Sequence, residues 1–152
     1  MIRELETVQN KPVQLLVTSA KVTKGAPVAI DYTDETVAPE AAGMGTLLAD
    51  IATKYDGIYS IVEPTDATYE EAEVGERIRV IQTLPGEMYA TSELTVGSLT
   101  AGDPLKVTSG KFVEATPGTD DYAWVYLGEY SDPTGIAMHR IGRVNIVHGA
   151  TE

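Results

Sequence analysis

The sequence predicts a mainly β domain, a compact β-barrel or β-sandwich with one short α-helix and an extended N-terminal arm. Three observations predict it. Short apolar or alternating runs recur between Gly, Pro, Asp and Ser at the spacing of all-β domains. Two of these runs are joined by Ser109-Gly110, a two-residue loop of the kind that closes a hairpin with a primed turn. One segment only, Thr46–Tyr55, carries a helical period.

Residues 1–12 are polar and without strand periodicity, so they read as the arm, and residues 13–150 read as a single β-rich domain. Val13–Thr18 is the first strand, entered after Lys11-Pro12, and Pro27–Tyr32 follows the turn signal Lys24-Gly25. Residues 33–45 are rich in small residues and read as a loop. In Thr46–Tyr55, Leu47, Leu48, Ile51, Ala52 and Tyr55 fall on one helical face. Thr46 is placed to cap the start and Gly57 to end the helix in a left-handed conformation. Thr68-Tyr69-Glu70-Glu71 has capping-box spacing, but Gly75 leaves room for a turn or two at most.

Arg77–Gln82 and Glu87–Thr91 flank Leu84-Pro85-Gly86, which predicts a hairpin or a tight corner. Leu105–Thr108 and Lys111–Ala115 form the hairpin around Ser109-Gly110. Tyr122–Tyr130 alternates Tyr122, Trp124 and Tyr126 with Ala123, Val125 and Leu127. Both of its faces are apolar, so it belongs in the middle of a sheet. Ile141 to His148 alternates loosely and closes the sheet.

Composition narrows the function. At 152 residues with 43% hydrophobic content, the chain suits one domain with a real core. It has no cysteine, which removes disulfides, thiolate zinc sites and cysteine nucleophiles together. Its 23 acidic and 11 basic residues give a formal charge of −12, the wrong field for phosphate neutralisation, so nucleic acid is not an expected partner. An acidic exterior instead favours solubility and steers the chain toward positively charged surfaces. No run approaches the roughly 18 apolar residues of a membrane helix. Met1–Thr7 carries no apolar signal region, so synthesis in the cytoplasm and no membrane partner are the expectations.

Motifs for chemistry are incomplete. Gly110-Lys111-Phe112 lacks the hydroxyl residue of a phosphate loop, and Leu48 stands where a dinucleotide loop begun at Gly43-Met44-Gly45 needs its third Gly. Ser98 misses the nucleophile-elbow pattern, and His139 and His148 are nine residues apart, which is not a zinc-helix spacing. Asp31, Asp34 and Glu35, and the pair Asp120-Asp121, read as solvated loop carboxylates, without an EF-hand pattern. Trp124 with Tyr122 and Tyr126 reads as sheet packing, with a sugar-stacking face as the lesser alternative. No catalytic, cofactor-binding or metal-ligating residue is assigned, and no enzymatic activity is expected.

Four segments, in order, resemble the capsid decoration (cement) proteins of tailed bacteriophages. They are Lys24-Gly25-Ala26-Pro27-Val28-Ala29-Ile30-Asp31, the Ala/Gly-rich stretch leading to Gly57-Ile58-Tyr59-Ser60-Ile61-Val62, and Gly75-Glu76-Arg77-Ile78-Arg79-Val80-Ile81. The last is Leu99-Thr100-Ala101-Gly102-Asp103-Pro104-Leu105-Lys106-Val107 running into Ser109-Gly110-Lys111-Phe112-Val113-Glu114-Ala115. The resemblance covers roughly residues 22–148. It implies a β-tulip-like fold and a non-enzymatic virion protein on the outer capsid surface, made in the host cytoplasm. Such a protein bridges neighbouring major capsid proteins as a homo-oligomer, with a trimer favoured. It also implies an N-terminal segment lying on the shell, for which Arg3, Leu5, Val8 and Lys11 are the expected contacts. The alternative expectation is a phage tail or fibre component or a carbohydrate-binding β module.

Overall fold

A computed structural model describes residues 2–6, 13–51, 70–131, 135 and 137–150. In chain order the strands are β1 (Ile2–Glu6), β2 (Val13–Thr18), β3 (Val22–Thr23), β4 (Val28–Asp31), β5 (Thr36–Pro39), β6 (Ala42–Gly43) and β7 (Leu47–Asp50). They continue with β8 (Glu71–Ala72), β9 (Arg77–Gln82), β10 (Met88–Thr91), β11 (Pro104–Thr108), β12 (Lys111–Glu114), β13 (Tyr122–Ser131) and β14 (Ala137–Val147). The chain is mainly β, as its alternation predicts.

Five strands form one sheet in the order β4-β5-β2-β9-β7. It curls, because Pro27 bridges Leu48 and the Ala49 N–H donates to the Ala26 carbonyl at 3.0 Å. One bridge joins the two ends in place of a full ladder, so the barrel is not closed. Val22, Val28, Val37, Ala49, Ile51, Ala72, Ile78 and Val80 pack into one core cluster. The short pair β3-β8 contributes Val22 and Ala72 to it.

The second sheet runs β1-β10-β14-β13-β11-β12, with β6 also pairing to β11. It curls in the same way, since Leu94 bridges Phe112 of β12. Its core is Tyr89, Leu94, Leu105, Val107, Phe112, Ala123, Trp124, Tyr126 and Ile141, joined by Leu48 from the first sheet. Trp124 is fully buried, with Tyr89 and Phe112 edge-on at centroid distances of 5.8 and 5.5 Å. Strand β13 lies between β11 and β14, the central place its two apolar faces predict.

Several expectations meet their outcome here. Val13–Thr18 is a strand over those same residues. Ser109 and Gly110 have φ of 51° and 73°, the two positive values of a type I′ turn, and Thr108 faces Lys111 across it. Leu84-Pro85-Gly86 is a corner rather than a hairpin, for β9 stays in the first sheet while β10 enters the second.

Two expectations are corrected. The helix predicted over Thr46–Tyr55 is absent from its described part: Leu47–Asp50 is strand β7, antiparallel to β9, and residues 52–55 lie outside the described residues. The physical reason is that β7 separates two cores. Leu48 turns to the Trp124 cluster, whereas Leu47 and Ala49 turn to the other, so a strand buried on both faces looks like an apolar helix stripe. Residues 33–45 are also more than a loop. Thr36–Pro39 pairs parallel to β2 and antiparallel to β4, and Ala42–Gly43 joins β11. The capping-box residues Thr68 and Tyr69 lie outside the described residues.

Candidate interaction surface

The chemistry-bearing side chains singled out in the sequence serve the fold where they are described. The Trp124 indole N–H donates to the Gly45 carbonyl at 2.9 Å, deep in the core, so its ring is not open to stack on a sugar. His139 is half-buried with its Nδ1 3.3 Å from the Tyr126 hydroxyl, and burial foremost, with the Glu129 charge, pushes that phenol up from its ordinary value. His148 is exposed, 3.4 Å from Asp121. Ser98 is exposed in a bend.

The acidic groups are similarly occupied. Asp31 Oδ1 accepts from the Thr33 N–H at 2.8 Å and tightens the β4–β5 turn. Asp120 accepts from Lys106 Nζ and from the Thr116 N–H, both at 2.8 Å. Asp121 accepts from the Gly149 N–H at 2.9 Å, pinning the end of the described chain. Among the described residues no group of three His, Cys, Asp or Glu is placed to hold a metal ion.

A buried polar network fastens the corner between the sheets. Arg143 is 6% exposed. Its Nε lies 3.2 Å from Thr83 Oγ1, and its Nη1 donates to the Ala123 carbonyl at 3.0 Å and to the Val144 carbonyl. Its guanidinium carbon sits 5.9 Å from the Trp124 ring centroid. Glu87, 1% exposed, accepts from the Leu84 N–H and the Tyr89 hydroxyl, each at 2.9 Å. Burial pushes the Arg143 guanidinium below its ordinary value, and the Glu87 charge opposes that shift.

The segment carrying Arg3 and Leu5 is β1, antiparallel to β10, with Arg3 opposite Ala90 and Leu5 half-buried at a register shift between Glu4 and Glu6. The first half of the expected arm is therefore an edge strand of the domain's own sheet. Val8 and Lys11 lie outside the described residues. Among the described residues β1 has β10 as its only strand neighbour.

Beside it lies a cavity of about 380 Å³, lined by Ile2, Lys24, Leu48, Asp50, Arg79 and Tyr89 among others. Arg79 Nη1 is 3.1 Å from Asp50 Oδ2 there. Strands β2 and β9 turn Val13, Leu15 and Val17 outward beside Arg77 and Arg79, and Leu15 is 61% exposed. The signal for this face was present in Val13-Gln14-Leu15-Leu16-Val17-Thr18, whose odd positions are all apolar although Leu16 belongs to the core side. No protein-family model, no curated protein and no solved structure matches this chain.

Proposed function

We propose that the chain is a structural virion protein, a decoration protein that binds the outer surface of a phage capsid and bridges neighbouring major capsid proteins. The observation that carries the reading is the ordered set of resembling segments. Three of the four fall on described structure: the turn and strand β4, the turn and strand β9, and the β11–β12 hairpin. The Gly57–Val62 segment lies outside the described residues.

Charge supports the same reading. The formal charge is −12, and Lys21, Lys24, Arg79 and Lys106 each pair with one of the chain's own carboxylates. Such a surface selects a positively charged partner and gains on-rate from long-range attraction. Weak contacts suffice if a homo-oligomer, of which a trimer is favoured, engages several symmetry-related sites on one shell. In this reading the protein resides on the virion exterior, and β1, an edge strand among the described residues, suits strand addition, where backbone bonds give affinity with little demand on side chains.

The test is co-sedimentation of the purified protein with capsids that lack it, across a salt series. Saturable pelleting with shells, weakening as salt rises, is the expected result. A protein that stays in the supernatant at every salt concentration overturns the reading.

A further inference from the structure

We infer that the outer face of the five-stranded sheet is a self-complementary docking surface for a second copy of this chain. The inference is independent of capsid binding, and its two-fold contact gives a dimer in solution in place of the trimer favoured in the capsid reading. Four residues line up across that face in one row: Asp31 on β4 pairs with Thr36 on β5, Thr36 with Val17 on β2, and Val17 with Arg77 on β9. Cross-strand partners share a face, so all four point away from the Val37–Ile78 core. Asp31 and Arg77 are exposed, while Thr36 and Val17 are half-buried.

The row is acidic at one end and basic at the other, about 14 Å apart at the spacing of three strand intervals. Consider a two-fold axis lying in the contact plane, parallel to the strands and passing between β5 and β2. It brings Arg77 of each copy against Asp31 of the other, and Val17 against Thr36. One ion pair on the row therefore becomes two by symmetry, as an isologous interface requires.

Both partners have capacity for it. The turn uses Asp31 Oδ1, with the Thr33 and Asp34 N–H groups at 2.8 and 3.4 Å, and the residue is exposed. Arg79 is engaged by Asp50, whereas Arg77 forms no ion pair among the described residues. Leu15 and Val13, 61% and 44% exposed, flank the row and supply the apolar area that ion pairs alone lack.

The experiment is light scattering of the isolated protein over a concentration series, without capsids, on wild type and three variants. Wild type is expected to approach twice the 16.3 kDa chain mass as concentration rises. Arg77→Glu is expected to weaken self-association at least tenfold, and adding Asp31→Lys to it is expected to restore it. Asp31→Asn keeps the turn's acceptor oxygen while removing the charge, and should weaken association without loss of fold by circular dichroism. Three outcomes overturn the inference: a monomer at every concentration, an oligomer indifferent to Arg77→Glu, or a double variant that stays as weak as the single one. Capsid binding can succeed or fail independently of all three.

Discussion

Gly45 shows how much one residue without a side chain can hold. Its φ is +66°, its carbonyl accepts the Trp124 indole, and its N–H donates to Glu40 Oε2 at 2.9 Å. A Cβ there would lie 2.8 Å from both Phe112 and Val107. Gly45→Ala should therefore cost about 3 kcal/mol, combining a left-handed backbone with overpacking. Urea unfolding followed by fluorescence of the single tryptophan will measure it. Glu40 and Asp120 should give opposite pH signatures. Burial foremost raises the Glu40 carboxyl, against backbone N–H bonds that lower it, so its charge opposes folding at neutral pH. That opposition disappears as pH falls through the raised value and then the ordinary one. The stability of Glu40→Gln relative to wild type should therefore be more favourable at pH 7 than at pH 4. The Lys106 bond foremost lowers the Asp120 carboxyl, so its contribution is present above the ordinary aspartate value and lost as pH falls through the lowered one. Asp120→Asn should thus be destabilising at neutral pH and close to wild type in strong acid, as thermal melts at both pH values will show.

At the scale of the element, the β11–β12 turn and the edge strand β1 invite contrasting changes. Ser109 holds φ of 51° with an ordinary side chain, whereas Asn tolerates that region better. Ser109→Asn should add about 0.5 kcal/mol in a urea titration. Gly110 cannot be treated alike, since a Cβ there would meet Pro39 at 2.8 Å. Strand β1 covers one edge of β10, and its Ile2 packs against the Trp124 core. Deleting residues 1–6 should lower the melting temperature and promote self-association through the uncovered edge, read by calorimetry and light scattering. An N-terminal truncation therefore alters the domain itself, and a loss of capsid binding on truncation has to be compared with the melt of the same protein.

For the whole molecule, the decisive device is the corner where the chain passes from one sheet to the other. Thr83 is held by Arg143, and Glu87 closes the same corner through Leu84 and Tyr89. Arg143→Lys keeps the charge but cannot reach Thr83 and the Ala123 carbonyl together, and should cost about 2–3 kcal/mol. Because Leu48 belongs to the first sheet and packs in the second sheet's core, the two sheets should unfold together. Tryptophan fluorescence and far-UV circular dichroism should then give coincident transitions. Two separate transitions would show that the corner does not couple the sheets.

Local chemistry made much of this legible in advance. Positive-φ demand at Ser109-Gly110 specifies its turn, the double-sided apolar run at Tyr122–Tyr130 specifies a central strand, and Val13–Thr18 carries its own boundaries. The missing information was long-range. Leu47 and Leu48 have the same local pattern whether they form a helix stripe or a strand between two cores, and only the position of β9 and Trp124 decides. The polar residues of β1 give no period of their own, so their strand state depends on the backbone groups that β10 offers. Likewise the row Asp31, Thr36, Val17 and Arg77 joins residues from distant parts of the chain, and hydrogen-bond register alone brings them together. The sequence by itself determined the runs and turns whose signal is local, Val13–Thr18, Tyr122–Tyr130 and the Ser109-Gly110 turn among them. Tertiary structure decided which sheet each run joins and which of its faces meets water, because those depend on partners distant in the chain.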